Sequence, residues 1–215
     1  LSGGDAGAQG ACFTCHGLDG RGNGAGAPRL AGIDVGYLTR QLEAYAAGTR
    51  SHPEMEAIAG KLTPADRQKV SAYYAAMPWT PAPGGGLPPM PALYVEGDPA
   101  RGLAACASCH GLRGEGIGPA NPPLAGQPPD YLAAQLEKWR RSERRNDPAN
   151  IMLRISRRLS PAEIAGLSAY AAALPGDLRR PESREASPEG RRAGPRNDAS
   201  APPRHGVAPA PSTSR

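Results

Sequence analysis

The sequence predicts an all-α chain of two tandem helical domains with a disordered C-terminal tail. Three observations carry that expectation. First, the chain repeats itself at a constant offset of 94: Leu30-Ala31-Gly32 returns as Leu124-Ala125-Gly126, Tyr37 as Tyr131, Gln41-Leu42-Glu43 as Gln135-Leu136-Glu137, and Tyr45 as Trp139. Further on the offset becomes 97, pairing Met55 with Met152, Leu62 with Leu159, Pro64 with Pro161 and Tyr73 with Tyr170, so three residues have been inserted between. Second, the 215 residues include one Phe, four Val and much Ala, a composition that favours helices over strands. Third, proline and cap residues punctuate both copies at matching places.

The elements follow in order. Each copy opens on a short helix, whose start in the second copy is marked by Asp98 as N-cap and Pro99 at the first helical position. Next comes a glycine-rich loop, from Gly20 to Gly26 and again from Gly111 to Gly118. Neither loop lies between a strand and a helix or ends in Lys-Ser/Thr, so a phosphate-cradling loop is discarded. Asp34 caps a helix running to about Ala47, with Gly48 as its stop, and the partner helix runs from about Pro129 to Arg141. Tyr37, Leu38, Gln41, Leu42 and Tyr45 share one face and read as core. A looser stretch then carries Met55, or Met152 in the copy. The last helix of each domain starts at Thr63-Pro64 or at the capping box Ser160-Pro161-Ala162-Glu163, and Pro78 or Pro175 closes it. The expected boundaries are a first domain over 1–79, a Pro/Gly-rich linker over 80–95, a second domain over 96–176 and a Pro/Arg-rich tail over 177–215. The tail has Leu178 and Val207 as its only sizeable apolar residues, too little to bury for order.

All four cysteines fall in two pentads, Cys12-Phe13-Thr14-Cys15-His16 and Cys106-Ala107-Ser108-Cys109-His110. Cys-x-x-Cys-His is the attachment pattern of a c-type haem, with both thiols on one helical turn and the histidine as proximal iron ligand. Disulfide exchange would require a βαβ context that is missing. A zinc site needs four ligands, and only His52 and His205 remain. Two covalently bound haem c groups are therefore expected, and they explain how domains of marginal size fold with so few large apolar residues. Haem chemistry turns on the ligand opposite the proximal histidine. The second domain has no other histidine and no spare cysteine, so elimination points to Met152. Met55 stands in the equivalent place of the first, with His52 its only rival there. Met77 and Met90 have no counterparts in the other copy.

These features resemble the class I di-haem cytochromes c of the cytochrome c4 group. The resemblance covers residues 1–175 and rests on the pentads, on Pro28-Arg29-Leu30 and Pro122-Pro123-Leu124, on the two methionines and on the closing helices. It implies two domains packed face to face about a pseudo-twofold axis, each wrapped around one haem. It also implies that the carbonyls of Pro28 and Pro122 accept hydrogen bonds from His16 and His110. The function implied is periplasmic electron transfer from a quinol-oxidising complex or dehydrogenase to a terminal oxidase. A haem subunit of a periplasmic dehydrogenase of flavocytochrome type would share every motif. A thiosulfate dehydrogenase would require a non-methionine ligand, for which the first domain offers only His52, Lys61 or Lys69.

The net charge of +5 is mild, and no basic-aromatic interleaving supports a nucleic-acid partner. No stretch approaches the ~18 apolar residues of a membrane span, and Leu1 begins no recognisable signal peptide. Haem attachment of this kind takes place outside the cytoplasm, so a mature periplasmic chain is expected. From Lys138 to Arg158 run eight basic residues, Arg144 and Arg145 among them, opposed by Glu143 and Asp147. That stretch reads either as a solvated rim or counter-charge for haem propionates, or as a docking face for an acidic redox partner beside the loop that carries Met152.

Overall fold

In a computed structural model, residues 12–24, 26–80 and 86–176 are described, and the expected tail over 177–215 lies outside them. The described residues contain no β-strand. Helix α1 occupies residues 12–16. It is followed by α2 (Val35–Ala46), α3 (Pro53–Lys61), α4 (Pro64–Ala75), α5 (Ala92–Val95), α6 (Ala107–His110), α7 (Pro129–Arg140), α8 (Ile151–Ser156) and α9 (Pro161–Ala173). In each domain the long helix, α2 or α7, packs against the closing helix, α4 or α9, and against the shorter α3 or α8.

Local chemistry accounts for these ends. The Asp34 carboxylate accepts the Tyr37 N–H at 2.9 Å and fixes the start of α2. Both closing helices begin with a capping box, Thr63 with Asp66 and Ser160 with Glu163, ahead of a proline at the first helical position.

Three elements differ from the sequence expectation. Asp98 does not start the pentad helix: its carboxylate accepts the Arg101 N–H to cap a separate 3-10 turn, Pro99–Arg101, which Gly102 ends at φ 63°. Met55 and Met152 lie in helices rather than in looser chain. Helix α3 carries Pro53 at its start, Glu54 and Glu56 in its first turn and Lys61 in its last, all dipole-compatible, and Met55, Ile58 and Ala59 form its less exposed face. The stretch 80–95 ends in α5, whose Tyr94 is only 1% exposed and packs edge-on against Tyr170, 5.1 Å between centroids. The Tyr94 hydroxyl donates to the Gly111 carbonyl at 2.9 Å. The stretch therefore contributes a central aromatic to the second core.

Each domain has its own core. In the first, Ile33, Leu38 and Tyr74 gather Cys12, Leu30, Val70 and Met77 around them. The second is larger, with Tyr94, Leu103, Leu132, Leu159, Ile164, Leu167, Tyr170 and Leu174 at its centre. The three inserted residues fall at Pro148–Asn150, a 3-10 turn in which Ala149 and Asn150 adopt left-handed φ of 53° and 55°. The Asp147 carboxylate turns the chain back into α8 by accepting the Met152 N–H at 2.7 Å.

The domains meet along a seam that obeys the 94-residue offset. Arg50 and Arg144 pair as an isolated antiparallel bridge. Beside them Ser51 N–H donates to Glu143 O at 3.1 Å and Arg145 N–H to Thr49 O at 2.7 Å, each bond the repeat image of the other. Arg29, 1% exposed, crosses the seam to donate to Ala125 O at 3.0 Å. Its guanidinium stacks 3.9 Å over the Trp79 ring. The Gln127 side chain closes the seam by accepting the Arg29 N–H and donating to the Arg29 carbonyl, both at 3.0 Å.

Candidate haem sites

Each site is assembled by a pentad helix and the glycine loop behind it. His16 Nδ1 lies 2.8 Å from Pro28 O, and His110 Nδ1 lies 2.8 Å from Pro122 O. A carbonyl only accepts, so the proton sits on Nδ1 and the Nε2 lone pair of each imidazole is free to meet a metal. Burial, working against the bond to the proline carbonyl, pushes both histidines below their ordinary value, which keeps them neutral as ligands must be.

The loop is held to the histidine by its backbone. Gly22 N–H donates to His16 O and Gly116 N–H to His110 O, both at 2.8 Å. Both glycines have left-handed φ, 82° and 81°, and a Cβ on either would strike backbone, at 2.4 Å from Ala27 O or 2.6 Å from Pro123 N. Glycine is thus required where the loop passes the Pro-x-Leu segment that orients the histidine.

The four cysteines form no disulfide with one another; one of each pair is half-buried (Cys12, Cys106) and one exposed (Cys15, Cys109). Burial pushes the Cys106 thiol up to about 11, the reverse of the lowered value that marks an exchanging Cys-x-x-Cys thiolate. Among the described residues no three His, Cys, Asp or Glu side chains converge as a metal cage. The donor set is two thiols and one imidazole per helix turn, which fits covalent attachment of a haem edge with one axial nitrogen.

Met55 and Met152 are half-buried, on α3 and α8, which pack against α2 and α7. His52 precedes α3 and pairs with Glu54 through Nδ1 at 3.1 Å. Lys61 and Lys69 are exposed, Met90 is 59% exposed, and Met77 packs into the first core.

The structure corrects one part of the basic stretch. Arg144 is 2% exposed and lies inside the seam, so it belongs to no docking face. Its repeat image Arg50, 3% exposed, is equally inside. Neighbours with oxygen acceptors on an otherwise apolar helix face draw them in: Arg50 donates to Gln41 Oε1, Gln135 Oε1 and the Tyr131 hydroxyl, and Arg144 to Gln135 Oε1, Gln41 Oε1 and the Tyr37 hydroxyl, all between 2.8 and 3.1 Å. The signal was a glutamine repeated on both stripes with an arginine repeated nine residues later. Arg141, Arg145, Arg154, Arg157 and Arg158 stay exposed.

Comparison with known proteins adds to this geometry. The family model described as Cytochrome c matches residues 3–78 and again 100–174. A thiosulfate dehydrogenase electron acceptor from Stutzerimonas stutzeri (strain A1501) is 41% identical over 170 residues, covering 74% of this chain and 77% of that protein. Reduced cytochrome c4 from Pseudomonas stutzeri superposes with a TM-score of 0.70 at 31% identity, over 78% of this chain and 96% of that one. The thiosulfate dehydrogenase TsdBA from Marichromatium purpuratum superposes with a TM-score of 0.69 at 44% identity, over 84% of this chain. This chain spans only 40% of that longer one.

Proposed function

From the premise that this chain belongs to the cytochrome c family, in its di-haem cytochrome c4 group, we propose that it is a periplasmic electron carrier that accepts electrons from a thiosulfate dehydrogenase. The chain carries two covalently bound haem c groups. When bound, each haem supplies a one-electron ferric/ferrous couple. Cys12 and Cys15 would hold the first through thioether links and Cys106 and Cys109 the second. His16 and Met55 would ligate one iron, and His110 and Met152 the other. Thioether sulfur is a soft ligand that favours the ferrous state, and the imidazoles are oriented by Pro28 and Pro122.

The observation that carries the reading is the equivalence of the two sites. Both histidines are tied to a proline carbonyl at 2.8 Å, and each domain has one half-buried methionine on the helix packed against its long helix. Two protein ligands per iron leave no coordination position for a substrate, which suits a carrier better than an enzyme. The likeness to a protein named as an electron acceptor favours a dehydrogenase donor over a quinol-oxidising complex. The longer thiosulfate dehydrogenase chain, of which this chain spans 40%, favours a lasting complex over brief encounters.

The test is to mix the oxidised protein with thiosulfate and a purified thiosulfate dehydrogenase and to follow both haems optically. Reduction that needs both reagents, with the two proteins co-eluting on gel filtration, supports the reading. Reduction by a quinol-oxidising complex alone, with none by the dehydrogenase, would refute the donor while leaving the carrier function intact.

A further inference from the structure

The repeat exchanges charges in the loop that follows each proximal histidine. At the 94-residue offset Asp19 becomes Arg113 and Arg21 becomes Glu115. The order of signs is reversed, yet each loop puts a carboxylate in the same place. A Cβ on Gly17 would meet Asp19 Oδ1 at 3.0 Å, and one on Gly111 would fall onto the Glu115 carboxyl. Each carboxylate also turns its loop by accepting a backbone N–H, that of Arg21 at 3.1 Å and that of Arg113 at 2.8 Å. The loops are tied back to the histidines, because Gly22 N–H donates to His16 O and Gly116 N–H to His110 O. A carboxylate therefore stands against the residue next to each proximal histidine.

The two differ in what neutralises them. Arg21 Nε lies 3.2 Å from Asp19 Oδ2, so the first carboxylate has a counter-ion on its own loop. No ion pair between described residues includes Glu115 or Arg113. The Asp19 side chain is 61% exposed, whereas Glu115 is half-buried, and a charge away from bulk water is screened less. The field of Glu115 reaches the interior. Tyr94 donates its hydroxyl to the carbonyl of the same Gly111, and burial pushes its phenol up, with Cys106 and Glu115 adding to the push.

We infer that Glu115 is a tuning residue of the second haem, whose uncompensated carboxylate beside His110 favours the ferric state and lowers that haem's reduction potential. The inference rests on the haem reading above. A ferric haem core carries one more positive charge than a ferrous core, so a nearby anion stabilises the oxidised form. The ion pair of Asp19 with Arg21 cancels most of the equivalent effect on the first haem. Glu115 thus biases an electron shared by the two haems toward the first domain.

The holoprotein is used throughout, and denatured mass first establishes two haems per chain. A parent chain with fewer would refute the haem reading and this inference with it; every later outcome bears on Glu115 alone. Reduction potentials are then measured by optical titration at low salt, each wave being assigned to its domain by proton NMR of the partly reduced protein. Glu115→Gln keeps an acceptor for the Arg113 N–H and removes the charge. It is expected to raise the reduced-to-oxidised ratio of the second haem, at fixed applied potential, by roughly threefold to tenfold and to move the first far less. The double substitution Arg113→Asp with Glu115→Arg transplants the first domain's ion pair and is expected to raise the second haem to the same extent. In the first domain, Arg21→Gln strips Asp19 of its counter-ion and should lower that haem's ratio by a similar factor, which Asp19→Asn in the same chain restores. A second haem unmoved by Glu115→Gln, or moved no more than the first, overturns the inference. Should that variant not fold, a second haem unmoved by the transplanted pair overturns it equally.

Discussion

At the scale of single residues, the pentads and their histidines are legible from spacing alone, because thioether attachment fixes two cysteines and a histidine within one turn. Their supporting contacts are less so. Spacing does not say which carbonyl will hold a histidine, since that depends on a loop closing over 12 residues to bring Pro28 to His16. Met152 is the residue whose loss is most informative. In Met152→Ala the methionine-to-ferric charge-transfer absorption of one haem should vanish and its potential fall, while the double substitution with Met55→Ala removes the band entirely. A full band in the double variant would mean that another side chain completes the iron. Charge pairs at this scale give a pH signature. Arg101 holds the Glu163 carboxyl down at about 2, below its ordinary 4.5. A depressed carboxylate stabilises the fold above its unfolded value and loses that contribution as pH falls through about 2. Arg101→Ala should therefore lower Tm slightly at neutral pH, with the difference from the parent disappearing in acid near pH 2. A gap that persists in acid would assign the effect to packing.

At the scale of elements, capping and proline punctuation located the long helices well. Asp34, Thr63 and Ser160 all act as the sequence suggests, since a cap is a local interaction that needs no tertiary partner. What sequence did not convey was where short apolar runs go. Leu93-Tyr94-Val95 sits among prolines and reads as linker, and only tertiary packing against α9 makes it core. Tyr94→Ala should cost about 3–5 kcal/mol, the range for emptying a large aromatic site, and should loosen the second domain preferentially. Differential scanning calorimetry combined with the haem absorbance of each domain would show it. A change of less than about 1 kcal/mol would return α5 to the status of linker.

At the scale of the whole molecule, the duplication was plain in the sequence but the seam was not. Arginines in a basic run read as surface, because burial of a charge is uncommon and its compensation here involves residues 81–107 positions away. With Arg144 removed from the outer face, the exposed set around α8 still includes Arg145, Arg154, Arg157 and Arg158. Charged faces raise encounter rates more than they prolong complexes. Arg145→Glu combined with Arg158→Glu should slow electron exchange with an acidic partner severalfold at low salt and converge with the parent near 1 M, where screening falls to about 3 Å. Equal rates at low salt, with both potentials unmoved, would make this face a solubility feature.

The bridge between Arg50 and Arg144 has a historical consequence. An element that faces its own repeat image across a twofold axis has the geometry of an isologous contact, in which one surface is complementary to itself. Before the gene doubled, a single-domain ancestor would already have had this seam available, as a homodimer with the same arginine opposite itself. Fusion then removed the concentration dependence of pairing and freed the two halves to diverge. Asn146, which accepts from Arg144 Nε and donates to Gln41 Oε1, and its repeat image His52, which turns to Glu54 instead, record that divergence.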